Sequence, residues 1–76
     1  MDELLSILVE PLVAHPEDID IQEIAGNNAT ILELRVNPED MGRVIGKGGK
    51  RAQAIRSIMK AKGNVVGERI LLDIVD

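Results

Sequence analysis

An α+β two-layer sandwich in the order α-β-β-α-α-β is predicted by three observations. Apolar residues recur at helical spacing at the N-terminus and on both sides of a glycine-rich turn, Gly46-Lys47-Gly48-Gly49. Alternating apolar and polar residues mark two segments before that turn and one after it. A turn signal, Gly26-Asn27-Asn28, separates the first two alternating segments, so they form a hairpin. One hairpin plus a third strand gives a three-stranded sheet, and three helices cover one of its faces.

The first helix is expected over residues 2–14, where Leu4, Leu5, Leu8, Leu12 and Val13 fall at helical spacing beside Ile7. Pro11 lies inside the pattern, where it would kink or break the helix. Ile19 and Ile21 alternate with Asp18, Asp20 and Gln22, which reads as a strand; the slip at Ile24 suggests a bulge or the strand end. The return strand runs from Thr30 to Val36, with Leu32, Leu34 and Val36 on one face and Ile31, Glu33 and Arg35 on the other.

Asn37-Pro38-Glu39-Asp40 is a helix start. Asn caps, Pro sits at the first helical position, and two acids complement the helix dipole. That short helix ends at Gly46. The next spans Lys50 to Lys62, with Ala52, Ile55, Ile58 and Met59 turned inward and Gly63 as its C-cap. The last strand runs from Arg69 to Val75, with Ile70, Leu72 and Ile74 on one face. Residues 1–76 make one domain, without repeat or linker.

Seventy-six residues bury one core and leave little room for a deep catalytic cleft. There is no Phe, Tyr or Trp, so bases cannot stack on aromatic rings, the usual device of many single-strand binders. There is no Cys, hence no disulfide or thiolate metal site. The acidic start, Met1-Asp2-Glu3, is unlike a secretory signal, and no apolar run is long enough to span a membrane. A cytoplasmic protein is the expectation.

Net charge is −4, yet its distribution is uneven. Between Met41 and Gly63 lie Arg43, Lys47, Lys50, Arg51, Arg56, Lys60 and Lys62, with no acid among them. All thirteen acids lie elsewhere, accompanied only by Arg35 and Arg69. Such segregation makes one basic face on an acidic body, centred on the glycine turn. A solvated helix face would explain the charges alone, and a tight joint between helices would explain Gly46 and Gly49 alone. Neither explains Lys47 at the tip of the turn.

Nucleotide-binding loops are excluded by spacing. A P-loop needs four residues between its glycines and a hydroxyl after the lysine; Gly42 and Gly46 enclose three residues, and Gly48 follows Lys47. A dinucleotide fingerprint fails because Arg51 stands where a third small residue should be. His15 is a lone histidine before Pro16, and Asp18, Asp20 and Glu23 fall on the solvent side of a strand, so neither a metal site nor a reaction centre is read.

Val44-Ile45-Gly46-Lys47-Gly48-Gly49, with Ile55 five residues beyond the turn, resembles the V-I-G-x-x-G-x-x-x-x-x-I signature of the K-homology (KH) domain at every fixed position. The element order is similar to the type II, prokaryotic form. A short chain that is one such domain resembles the bacterial KhpA family of RNA-binding proteins. The resemblance implies a non-enzymatic clamp for about four nucleotides of single-stranded RNA. Gly46 and Gly49 would set the turn, and Lys47 and Gly48 would meet the sugar-phosphate chain. Of Val44 and Ile45, one would floor the base groove and the other enter the core. Arg43, Lys50 and Arg51 would add phosphate attraction. Bases would hydrogen-bond to the backbone of an adjacent strand.

The resemblance also implies an RNA-chaperone-like role with effects on cell-wall homeostasis and cell length. It implies a homodimer, or a heterodimer with a KhpB-like partner carrying its own KH domain. No metal, small-molecule substrate or cofactor is expected. The alternative is a protein-interaction module on the same scaffold.

Overall fold

The computed structural model describes residues 2–75. Helix α1 spans Asp2–Val9, strand β1 Asp20–Ala25, strand β2 Thr30–Arg35, helix α2 Met41–Ile45, helix α3 Lys50–Val66 and strand β3 Ile70–Ile74. The predicted α-β-β-α-α-β order is therefore observed, as an α+β fold with a three-stranded sheet.

Strand β2 is central. It pairs antiparallel with β1 and parallel with β3. The parallel pairing follows from the connection: α2 and α3 carry the chain back across the sheet before β3 begins. Leu32, Leu34 and Val36 of the central strand region are buried against Leu5 and Val9 of α1, Val44 of α2, Ile55 and Met59 of α3, and Ile70 of β3. Full burial of an aliphatic side chain of this size contributes roughly 1.5–3 kcal/mol, so this wholly aliphatic cluster holds the layers together without an aromatic residue.

Four local readings are corrected. Helix α1 stops at Val9, and Glu10–Leu12 tighten into a 3-10 turn. Pro11 has no N–H, and its ring clashes with the carbonyl four residues back, so an α-helix cannot run through it. There is no bulge at Ile24: β1 keeps one register from Asp20 opposite Arg35 to Ala25 opposite Thr30. Ile24 instead faces the open side of the sheet opposite Ile31, which lies beside Leu71 of β3.

Gly63 is not a C-cap. Helix α3 passes through it and ends in a left-handed Gly67. The Glu68 N–H donates to the Gly63 carbonyl at 2.8 Å, closing a Schellman-type end. Gly63 is buried because a Cβ there would lie 2.5 Å from the Glu68 carbonyl oxygen and 2.7 Å from Ile70 Cγ1. Its role is close approach of the helix to β3. Ile58 is not turned inward; it is 43% exposed, because the buried stripe of α3 is Ala52, Ile55, Met59 and Gly63.

No helix among the described residues is long and apolar enough to cross a membrane.

Candidate nucleic-acid interface

The site begins with the start of α2. Asn37 Oδ1 accepts the Glu39 N–H at 2.9 Å, and Pro38 opens a 3-10 turn that leads directly into the helix. Asp40 closes that turn and is 1% exposed. Its carboxylate accepts the Ala14 and His15 N–H groups, both at 3.0 Å, and Arg43 Nη1 stands 3.6 Å away. A buried carboxylate is tolerated because it is this well partnered. The linker between α1 and β1 is thereby fastened to the root of α2. The Ala14 amide first of all, and the His15 amide with it, holds the Asp40 carboxyl below its usual pKa against the opposing effect of burial.

Sequence reasoning missed this brace. It took Asp40 as a surface acid complementing a helix dipole, and nothing local reveals partners 25 and 26 residues away.

From that fixed root, α2 makes little more than one turn before Gly46 ends it. Gly46 (φ 77°), Gly48 (φ 64°) and Gly49 (φ 77°) all lie at positive φ. Gly46 is also sterically required, since a Cβ there would stand 2.6 Å from Arg51 Cβ. Gly48 and Gly49 have open space in front of them. Gly48 has room for another backbone to come close, and its conformation needs glycine as well. The turn delivers the chain into α3 at Lys50, whose N–H is taken by the Lys47 carbonyl, as the Gly49 N–H is by the Gly46 carbonyl at 3.2 Å, so the helix start offers its dipole to an anion.

Val44 is fully buried and Ile45 is 37% exposed. Val44 is thus the member of the pair that enters the core, and Ile45 lies at the surface next to the turn. Ile55 is buried as core.

The four charged positions singled out around the turn, Arg43, Lys47, Lys50 and Arg51, are not equivalent. Gly46, Lys47, Lys50, Arg51 and Ala54 border one shallow concavity. The Lys47 and Lys50 side chains are exposed and make no ion pair or hydrogen bond with any described residue. Arg51 donates to the Arg43 carbonyl in the last turn of α2, which helps bind α2 to α3. Arg43 leans toward Asp40. The unengaged cations at the turn are therefore Lys47 and Lys50.

Strand β3 packs against α3 and is an edge strand of the sheet. Thr30 N donates to Arg69 O, and Val75 N donates to Leu34 O, so the odd-numbered positions turn their backbone groups toward β2. Ile70, Leu72 and Ile74 then direct theirs outward. Arg56, half-buried on α3, donates from Nε to the Leu72 carbonyl at 3.3 Å. The crevice between α3 and β3 thus contains main-chain donors and acceptors and a guanidinium anchored at one nitrogen.

The parallel β2–β3 pair, reached through two helices that meet at a glycine turn, defines a KH domain of the type II form. Comparison with known proteins narrows the class. The family model for the KhpA/KhpB KH domain matches residues 2–74, and the chain belongs to that family. It is 44% identical to the RNA-binding protein KhpA of Clostridium perfringens, over 99% of this chain and all of that one. It is 43% identical to the RNA-binding protein KhpA of Listeria monocytogenes serovar 1/2a over the whole of both chains. The RNA-binding protein KhpA of Aquifex aeolicus is 34% identical over all of this chain and 96% of its own.

Proposed function

We propose that this chain is a non-enzymatic module that holds a short single-stranded RNA across Gly46–Gly49. The observation that carries the reading is the pairing of Lys47 and Lys50, two lysines whose side chains have no partner among the described residues, with a turn held open by three positive-φ glycines. Lysine at such a place acts as a point charge toward phosphate. The open space at Gly48 and Gly49 lets a sugar-phosphate chain approach the backbone. Ile45 offers an aliphatic surface to a base, and the outward groups of Leu72 and Ile74 offer hydrogen bonds to its edge. The matching relatives, each named an RNA-binding protein, support the same reading.

A single shallow site of this kind is weak, so useful occupancy calls for a second linked site. We place that site on a second copy of the chain or on a KhpB-like partner with its own KH domain. The match to a model shared by KhpA and KhpB supports this, as does Ile58, exposed on the helical layer. The further proposal is an RNA-chaperone or post-transcriptional role in the bacterial cytoplasm, with effects on cell-wall homeostasis and cell length.

The test replaces Lys47 and Lys50 with Glu and titrates single-stranded RNA by fluorescence anisotropy. Gly48 is left unchanged, because its positive φ would confound charge with strain. A folded K47E/K50E protein should lose RNA affinity at least tenfold. Unchanged affinity would favour the competing reading, a protein-interaction module.

A further inference from the structure

Between the C-terminal end of α3 and the start of β3 opens a pocket of about 400 Å³, lined among others by Lys60, Asn64, Glu68, Arg69, Ile70 and Leu71. Lys60 and Asn64 lie four and eight residues beyond Arg56, on the same face of the helix and one and two turns further along. Ile70 follows the pattern of Leu72, with its backbone N–H and C=O directed at the free edge. The outward main-chain pattern of Leu72 is therefore repeated at Ile70, at the pocket.

We propose that this pocket is a second nucleotide site, which takes the base of a nucleotide flanking the clamped stretch. The inference rests on the RNA-clamp reading above and extends it. Lys60 and Arg69 supply positive charge at the mouth, where a phosphate would pass. Glu68 sets a carboxylate among them, which disfavours a phosphate as the buried group and favours a base. A carboxylate accepts from the N4 amino group of cytosine. Asn64 supplies an amide donor and acceptor, and Leu71, 43% exposed, supplies aliphatic surface. Gly63 brings the end of α3 down onto β3 and so fixes the width of the pocket. The volume lies within the range of small-molecule sites.

The probes are four- and seven-residue oligocytidines, titrated against the full chain and its N64A/E68A variant. Both side chains are exposed, and circular dichroism verifies folding. Extra binding registers on the longer RNA strengthen both proteins alike, so the comparison isolates the pocket. The wild-type gain from four to seven residues should exceed the variant's gain by about tenfold, the lower part of the range for one hydrogen-bonded base, with the four-residue RNA bound equally by both. The same gain in both proteins overturns the pocket. So does an equal loss on both lengths, which would place Asn64 and Glu68 in the clamp itself. Failure of the wild type to bind even the four-residue RNA would overturn the clamp reading, a result distinct from loss of the length effect alone.

Discussion

Arg56 reaches from α3 to the free edge of β3, where its Nε donates to the Leu72 carbonyl oxygen at 3.3 Å. One interaction thus braces the helix that follows the glycine turn against the strand that borders the groove. It also leaves the two terminal guanidinium nitrogens for a ligand. R56K should fold, since lysine retains the aliphatic stem, but it cannot both hold Leu72 and present a planar fork. We expect it to weaken RNA binding by about tenfold, the lower part of the range for a bidentate base contact. Isothermal titration of a four-residue RNA reads this directly.

The glycines of the turn separate conformation from contact. G46A meets both a positive φ and the Arg51 Cβ, and should cost more than about 2 kcal/mol in urea unfolding. G48A meets only the positive φ, and should cost about 1 kcal/mol. Its larger effect should be on RNA affinity. Equal stability losses at the two positions would contradict this assignment.

Gly63 supplies a third stability test. Alanine is the better helix former by about 1 kcal/mol. Yet G63A would press a methyl group onto the Glu68 carbonyl and Ile70, at a cost of about 1–3 kcal/mol. We expect net destabilisation in thermal melts, where a freely exposed helical glycine would show a gain.

The brace at Asp40 makes stability depend on pH in a defined sense. The folded-state pKa of Asp40 is lowered, so its contribution is complete above the ordinary carboxylate pKa and is lost as pH falls through the lower, folded value. His15 acts in the opposite sense. A hydrogen bond to Glu39 at 3.2 Å raises its pKa most, burial opposes this, and the charges of Asp40, Glu17 and Glu39 raise it further. Its contribution is complete below 6.5 and is lost as pH rises through the raised value. D40N should flatten the acidic limb of the Tm-versus-pH curve and lower Tm at neutral pH. H15A should flatten the limb just above pH 6.5.

Salt dependence counts phosphates. If the turn and its two lysines neutralise two or three of them, log affinity should fall against log salt with a slope of roughly −1.4 to −2.1. In K47E/K50E the slope should approach zero.

Local rules carried most of the fold. The helical spacing of Leu5 with Leu8, the alternation of Leu32 with Leu34, and the Asn37-Pro38 start each act over a few residues, so the element order was legible. Glycine was ambiguous. Gly63 and Gly67 carry the same letter, and only the third dimension shows that one allows close packing and the other a left-handed end. Ile58 misled because a periodic pattern says where apolar residues recur, not how wide a stripe the neighbouring elements cover.

At the candidate site, the turn and its lysines were visible because four adjacent residues make it. The Asp40 brace, the Arg51 contact with the Arg43 carbonyl and the Arg56 contact with Leu72 join residues from 8 to 26 positions apart, with no pattern to announce them.

The most direct measurement is an amide NMR titration of the 15N-labelled protein with a four-residue single-stranded RNA. The clamp predicts the largest shifts at Gly46–Lys50 and at Leu72 and Ile74, with α1 unmoved. Shifts gathered instead on the exposed face of α3 around Ile58, or no shifts at millimolar RNA, would contradict it.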